Sequence, residues 1–194
     1  MTDQLIAWDK ELFRFLNELH HPLLDEVMFQ ISQTYFWIPF YGVLLYFIIR
    51  RFKTVAWIPI ICIAIAIGVS DRVTSGMMKP YFERQRPSHD VTVQEHVHIV
   101  HGYRGGQFGF ASSHAANTFA VATFFFFLFR DNKRWVIWLF PWAILVSYSR
   151  IYLGVHFPGD IIVGGFVGVM SAYGCMVINN ALLRKFPTVQ QHSP

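Results

Sequence analysis

Residues 149–160, with the sequence SRIYLGVHFPGD, place an arginine, a histidine and an aspartate between two long apolar stretches. Ionisable side chains at such positions are costly and usually functional. His156 precedes Asp160 by four residues, about one helical turn, so the carboxylate can accept one ring N–H and leave the other ring nitrogen free to attack. We predict that His156 is a nucleophile towards phosphorus and forms a covalent phosphohistidine.

Cationic side chains and helix starts accompany this pair and favour a phosphate as the group that is attacked. Lys79 and Arg86 follow the second apolar stretch, and Arg150 lies towards the end of the fourth. Arginine presents a planar fork of donors that matches phosphate oxygens. Ser112 can cap one helix and Pro158 can begin another, and the free N–H groups of a helix start attract an anion. These features together predict a phosphate site.

A second histidine, His114, completes the predicted chemistry. It can protonate the departing oxygen as a general acid and later activate water as a base. The cations would stabilise charge on the equatorial phosphate oxygens, where most of the rate gain arises. No pair of carboxylates accompanies these residues, since only Asp160 lies among them. We therefore predict that the reaction needs no metal and no cofactor.

The composition indicates how these residues are positioned. The chain has 194 residues, of which 54% are hydrophobic and only 14% are charged, whereas soluble domains carry about 25% charged residues. We predict an all-α integral membrane protein with about five to six transmembrane helices in one bundle, forming a single membrane domain over residues 1–194. Stretches long enough to span a bilayer lie at 24–49, 54–77, 110–129, 135–154 and 159–183, with a long outer connection at 78–109.

Two further patterns concern the packing of helices. Residues 3–19 have the apolar periodicity of an amphipathic helix, which would either lie flat at the bilayer surface or cap the other helices. In the last span, Gly164, Gly168 and Ala172 recur at every fourth position. This stripe predicts close helix packing, either within one chain or between two copies.

Positive charge sets the expected orientation. Three connections dense in lysine and arginine, at 50–53, 130–134 and 184–185, lie on one side of a five-span bundle. The positive-inside rule makes that side cytoplasmic. All of the candidate site residues named above then meet at the outer membrane face.

Three motifs in this order resemble those of a known family. Residues 79–87, KPYFERQRP, match a motif of lysine, six residues, arginine and proline. Residues 149–160 match serine-arginine, five residues, histidine, three residues and aspartate. Residues 111–114, ASSH, keep the serine and histidine of a third pattern, Pro-Ser-Gly-His. The sequence is therefore similar to the type 2 phosphatidic acid phosphatases, integral membrane lipid phosphatases related to the vanadate haloperoxidases.

The resemblance implies a role for each matched residue. His156 would be the nucleophile, Asp160 its partner and His114 the acid. The implied phosphate ligands are Lys79, Arg86, Ser112, Ser113 and Arg150.

We predict a phosphatase that hydrolyses a membrane lipid phosphate or pyrophosphate at the periplasmic face of a bacterial inner membrane. Its resemblance to small bacterial members favours undecaprenyl pyrophosphate as substrate, with lipid A, phosphatidylglycerophosphate and phosphatidic acid as alternatives. A non-hydrolytic carrier of lipid phosphates is the alternative from another class. The expected partners are the lipid substrate and membrane lipids, and not nucleic acid, because the basic residues are scattered. The oligomeric state is left open.

The outer connection also contains His96, His98 and His101. A metal site and a solvated loop are both conceivable there. The solvated loop is favoured because a fourth ligand and a defined spacing are missing.

Overall fold

The computed structural model describes residues 2–186, which form α-helices joined by short turns and one long connection. The predicted all-α class is confirmed for this part of the chain, and both ends of the predicted domain 1–194 lie outside it. The helices are α1 (Thr2–Glu18), α2 (Pro22–Ser32), α3 (Ile38–Phe52), α4 (Trp57–Asp71), α5 (Lys79–Phe82), α6 (Ser113–Leu128), α7 (Lys133–Val136), α8 (Leu139–Tyr152) and α9 (Pro158–Leu183).

Within residues 2–186, two helices are long and apolar enough to cross a membrane by themselves. They are Trp57–Phe82, which comprises α4 and α5, and Pro158–Leu183, which is α9. Each has 26 residues, or about 39 Å of helix, whereas the hydrocarbon layer is about 30 Å thick. The chain is therefore a membrane protein.

The first of these helices is longer than the predicted span 54–77. A π-helical segment, Arg72–Met78, joins α4 to α5. Within it the N–H of Lys79 donates to the carbonyl of Thr74, five residues earlier. The helix therefore continues through this polar segment, although the apolar pattern of the sequence ends there. The placement of Lys79 in the outer connection 78–109 is therefore wrong, since this residue belongs to the helix.

The remaining predicted spans are less regular than expected. In place of a straight helix over 24–49, segments Pro22–Ser32 and Thr34–Val55 meet at an angle of 73°, because Gln33 between them has an extended backbone. Counting that pair as one span gives three candidate spans in the described part of the chain.

The predicted spans 110–129 and 135–154 correspond to shorter helices. The first is α6, which has 16 residues, and the second is divided between α7 and α8, the latter with 14 residues. Helices of these lengths measure about 24 and 21 Å, which is less than a straight span requires. Five spans therefore stay a prediction.

The packing of α9 on α6 depends on glycine. A Cβ atom at Gly164 would clash with the carbonyl oxygen of Ser112, and one at Gly168 would clash with that of Ala116. The two backbones thus touch, as the small-residue stripe predicted, and the contact lies within one chain. It fixes the start of α6 against the start of α9.

We expect Gly168→Ala to destabilise the protein by about 1–3 kcal/mol, because a backbone carbonyl cannot move aside as a side chain can. Gly174→Ala is the matched control in the same helix, since nothing lies within 4 Å of its Cβ position. It should leave stability unchanged or raise it by up to about 1 kcal/mol, since alanine favours helix. Thermal unfolding in one detergent measures both, and equal midpoints would contradict this packing.

Helix α1 packs on the bundle through one face and exposes another. Phe13 is 1% exposed and its ring meets that of Phe157 edge to face at 5.2 Å between centroids. The apolar periodicity predicted for residues 3–19 comes from Leu5, Trp8, Leu12, Leu16 and Leu19, which form an apolar stripe. All of these except Leu16 are exposed. The helix therefore packs on the bundle through Phe13 and Leu16, whereas most of the stripe faces outward.

The basic connections meet at one end of the bundle. Arg51 donates to Asp131 at 2.8 Å, and Arg51, Arg130 and Arg184 line one cavity at the ends of α3, α6 and α9. Since α6 and α9 both run from their first residues towards this end, Ser113 and Pro158 lie at the other.

Candidate active site

A lysine and two serines form the first part of the site. Lys79 Nζ donates to Ser113 Oγ at 2.8 Å and to Ser75 Oγ at 3.1 Å, and the two hydroxyl oxygens are 2.6 Å apart. The π-helical segment Arg72–Met78 supplies Ser75, and π-helical turns are frequent at functional sites. Ser75 was missed in the sequence because no motif includes it. The three groups form a cluster of donors suited to an anion.

Arg150 is buried close to the end of α8. It is 2% exposed, and its guanidinium donates to the hydroxyl of Ser32 and, at 3.0 Å, to that of Tyr103. Its Nε is buried without a hydrogen-bond acceptor from residues 2–186. A buried, unpaired charged donor is costly, and a phosphate oxygen is an acceptor that would satisfy it.

Arg86 is held in the connection that follows α5. Its Nε donates to the carbonyl of Phe108 at 3.1 Å, and its Nη1 to that of Val155 at 3.4 Å. Gly105 has a positive φ of 66°, and a Cβ there would lie 2.6 Å from Nη1. Burial, together with the positive charge of Arg150, lowers the pKa of Arg86. The carbonyl ligands hold the guanidinium in place without neutralising its charge.

His156 and Asp160 form the predicted pair. His156 lies in the turn before α9 and is 1% exposed. Its Nδ1 is 3.3 Å from Asp160 Oδ2, which also accepts the N–H of Phe157 at 3.0 Å. Burial, followed by the charges of Arg86 and Arg150, lowers the pKa of His156 well below its usual value. A neutral imidazole with Nδ1 engaged leaves Nε2 as the nitrogen that can attack.

His114 and Ser112 occupy the start of α6. His114 is half-buried and interacts electrostatically with His156, Arg150 and Lys79. Within residues 2–186, no hydrogen bond joins the His114 side chain to another predicted site residue. Ser112 is the predicted cap, since its Oγ accepts the N–H of Ala115 at 3.4 Å.

The use of Ser112 limits what it can offer a phosphate. Its own N–H donates to the carbonyl of Asp160 at 3.0 Å, which ties the start of α6 to that of α9. Only its hydroxyl hydrogen is left for a ligand, whereas Ser113 already faces Lys79. Of the two serines, Ser113 is therefore the better placed to bind a phosphate.

Two of the three histidines named in the outer connection have carboxylate partners. His98 Nε2 is 2.9 Å from Asp25, and His101 Nε2 is 2.8 Å from Glu26. Residues 2–186 contain no group of three or more His, Cys, Asp or Glu side chains that could hold a metal ion. His98 and His101 therefore hold the outer connection against α2.

Comparisons with known proteins place this arrangement in a family. A sequence model of the PAP2 superfamily matches residues 56–184. A lipid A 4'-phosphatase of Bacteroides thetaiotaomicron is 39% identical over 87% of this chain and 75% of its own length. An undecaprenyl-diphosphatase of Sulfolobus acidocaldarius is 28% identical over 86% of this chain and 76% of its own length.

A solved structure shares the fold. The transmembrane PAP2-type phosphatidylglycerolphosphate phosphatase of Bacillus subtilis superposes with a TM-score of 0.68. The match covers 92% of this chain and 87% of that one, at 23% sequence identity. The family match includes Lys79, Arg86, His114, His156 and Asp160. The chain therefore belongs to the PAP2 superfamily, and it is a phosphatase.

Proposed function

We propose that this phosphatase hydrolyses a lipid phosphate through a phosphohistidine. His156 Nε2 attacks phosphorus, and the bond between phosphorus and the lipid oxygen breaks while His114 gives that oxygen a proton. Water then attacks phosphorus, the bond between phosphorus and His156 Nε2 breaks, and His114 takes a proton from this water. Free phosphate and a dephosphorylated lipid are the products.

The observation that carries this proposal is the buried His156–Asp160 pair beside three cations that donate to no carboxylate within residues 2–186. Lys79 is held by hydroxyl groups, Arg86 by backbone carbonyls and Arg150 by hydroxyl groups. None of these contacts is a carboxylate. The charges are thus available to the three non-bridging oxygens of a phosphoryl group.

We propose a phosphate of lipid A as the substrate, in place of the undecaprenyl pyrophosphate that the sequence favoured. The support comes from the relatives, since the lipid A 4'-phosphatase has 39% identity to this chain and the undecaprenyl-diphosphatase 28%. The site residues themselves recognise a phosphate and not the lipid that carries it. The choice between these lipids therefore rests on the relatives.

The location is also a proposal. We infer five spans in a bacterial inner membrane, with the shorter helices α6 and α8 completed by flanking residues. The cavity lined by Arg51, Arg130 and Arg184 would then face the cytoplasm. His156, at the opposite end of α9, would face the periplasm.

A panel of lipid phosphates tests the substrate and the need for metal. We expect purified protein in mixed micelles to release phosphate from a lipid A 4'-phosphate with a kcat/KM about 10-fold or more above that for undecaprenyl pyrophosphate or phosphatidic acid. An excess of EDTA should leave the rate unchanged. The opposite ranking would refute the substrate assignment. Tight binding of lipid phosphate without phosphate release would instead identify a carrier.

A further inference from the structure

Arg84 links the candidate catalytic pair to the N-terminal helix. Its Nη1 donates to Asp160 Oδ1 at 2.8 Å, and its Nη2 donates to Asp9 Oδ2 at 2.6 Å. Asp160 reaches His156 through its other oxygen, Oδ2. A continuous series of charged contacts thus runs from α1 to the imidazole.

The carboxylate of Asp160 needs a partner of this kind. The residue is 0% exposed, and a buried carboxylate without a paired cation is strongly destabilised. The cations Lys79, Arg86 and Arg150 donate to hydroxyl groups and carbonyls, and Arg84 is the cation that donates to Asp160 within residues 2–186. Because Arg84 binds Oδ1, the Asp160 carboxylate is oriented with Oδ2 towards the imidazole of His156.

Asp9 fixes Arg84 and the start of α9 at once. Its Oδ1 accepts the N–H of Gly159 at 2.7 Å, and a Cβ at position 159 would lie only 2.9 Å from Oδ2. The guanidinium of Arg84 also lies 4.3 Å from the ring centroid of Phe157. Phe157 in turn packs on Phe13 of α1. Arg84 is thereby held by a carboxylate at each end and an aromatic ring along its side.

We propose that Arg84 and Asp9 are positioning residues for the His156–Asp160 pair, so that α1 is part of the catalytic apparatus. The proposal rests on the proposed function, in which His156 is the nucleophile. Neither residue donates to or accepts from Lys79, Ser113 or Arg150, the groups suited to phosphate. Their loss should therefore lower the rate of phosphoryl transfer and not the affinity for the anion.

The test compares Asp9→Asn with Lys10→Gln. Asparagine keeps an oxygen for the Gly159 N–H but removes the charge that holds Arg84. Lys10 is the neighbouring residue of α1, and it makes a separate ion pair with Asp90 at 2.7 Å. We expect Asp9→Asn to lower kcat by about 10- to 100-fold, as loss of a residue that orients a catalytic group does. KM and inhibition by inorganic phosphate should change by about twofold or less, and Lys10→Gln should keep wild-type kcat.

Arg84 variants supply the second measurement. Arg84→Gln should lower kcat at least as far as Asp9→Asn, and Arg84→Lys should recover part of the loss because it keeps the charge. The double variant Asp9→Asn/Arg84→Gln should be no slower than Arg84→Gln alone, since both changes break one series of contacts. Thermal unfolding of each variant shows whether it is folded under the conditions of the assay.

The outcomes separate this proposal from the proposed function. Wild-type kcat in both Asp9→Asn and Arg84→Gln would overturn the positioning role, as would a fall in kcat that Lys10→Gln shares. A rise in KM and in the inhibition constant for phosphate, with kcat unchanged, would also overturn it. If His156→Ala retains turnover, the proposed nucleophile is wrong.

Discussion

His156→Ala is expected to lower kcat for phosphate release by about 10⁴-fold or more, the scale of loss when an enzyme loses its nucleophile. Without the imidazole no phosphohistidine can form, and a water in its place would lack the fixed position beside Asp160. KM should change far less, because the proposed phosphate ligands Lys79, Arg86 and Arg150 are unchanged. Initial rates across a range of lipid phosphate concentrations give both constants.

Two further variants test whether the loss is specific to the His156–Asp160 pair. Asp160→Asn keeps the shape of the partner but removes its charge, and we expect a loss that approaches that of His156→Ala. His101→Ala, in the outer connection, removes a histidine whose side chain is 56% exposed, and it should keep wild-type kcat. Wild-type turnover in His156→Ala would contradict a covalent histidine at this position.

His114→Asn is expected to lower kcat by about 10²- to 10⁴-fold on a lipid phosphate, because the departing alkoxide then leaves without a proton. In the first turnover, which reports the transfer to His156, the loss should be much smaller, about 10-fold or less, on p-nitrophenyl phosphate, whose phenolate is stable and needs little protonation. Asparagine is close to histidine in size and polarity, so the start of α6 should keep its structure.

The comparison of the two substrates is the decisive measurement for His114. His156→Ala serves as the control, since loss of the nucleophile should slow both substrates alike. Equal losses of the first-turnover rate on the lipid and on p-nitrophenyl phosphate in His114→Asn would contradict a role for His114 in protonating the departing oxygen.

The sequence predicts the candidate site better than it predicts the helices that carry it. The motifs name Lys79, Arg86, His156 and Asp160, and Ser113 stands at the glycine position of the Pro-Ser-Gly-His pattern. The structure brings Lys79 onto Ser113 and His156 onto Asp160. Such residues can be named in advance because phosphate chemistry demands particular side chains at particular spacings. Their roles in catalysis stay predictions until the variants are measured.

The supporting residues escaped prediction for physical reasons. Arg84 lies inside the first motif at a position the motif leaves free, and Asp9 is one of several charges on an amphipathic helix. Ser75 depends on a π-helical turn, which has no residue pattern of its own. These residues are distinguished only by their tertiary contacts, and contacts between distant parts of the chain cannot be inferred from the spacing of residues in the sequence.

The predicted helix boundaries are wrong where a helix continues through polar residues and where an apolar stretch contains a break between two helices. Hydropathy ended the second span at residue 77, while hydrogen bonds carry the helix to Phe82. Hydropathy also joined residues on both sides of Gln33, whose extended backbone bends the chain by 73°. Apolar composition indicates which residues can lie in lipid or in the protein core, whereas backbone hydrogen bonding determines where a helix ends.

The glycine contact between α6 and α9 restricts the route by which a lipid can reach His156. At Gly164 and Gly168 the backbones of these helices leave no space for even a methyl group. An acyl chain cannot pass between them, and they cannot separate without breaking the hydrogen bond from the Ser112 N–H to the Asp160 carbonyl. We therefore expect the lipid to enter along another side of the bundle, with the packed backbones of α6 and α9 closing the side behind the proposed catalytic residues.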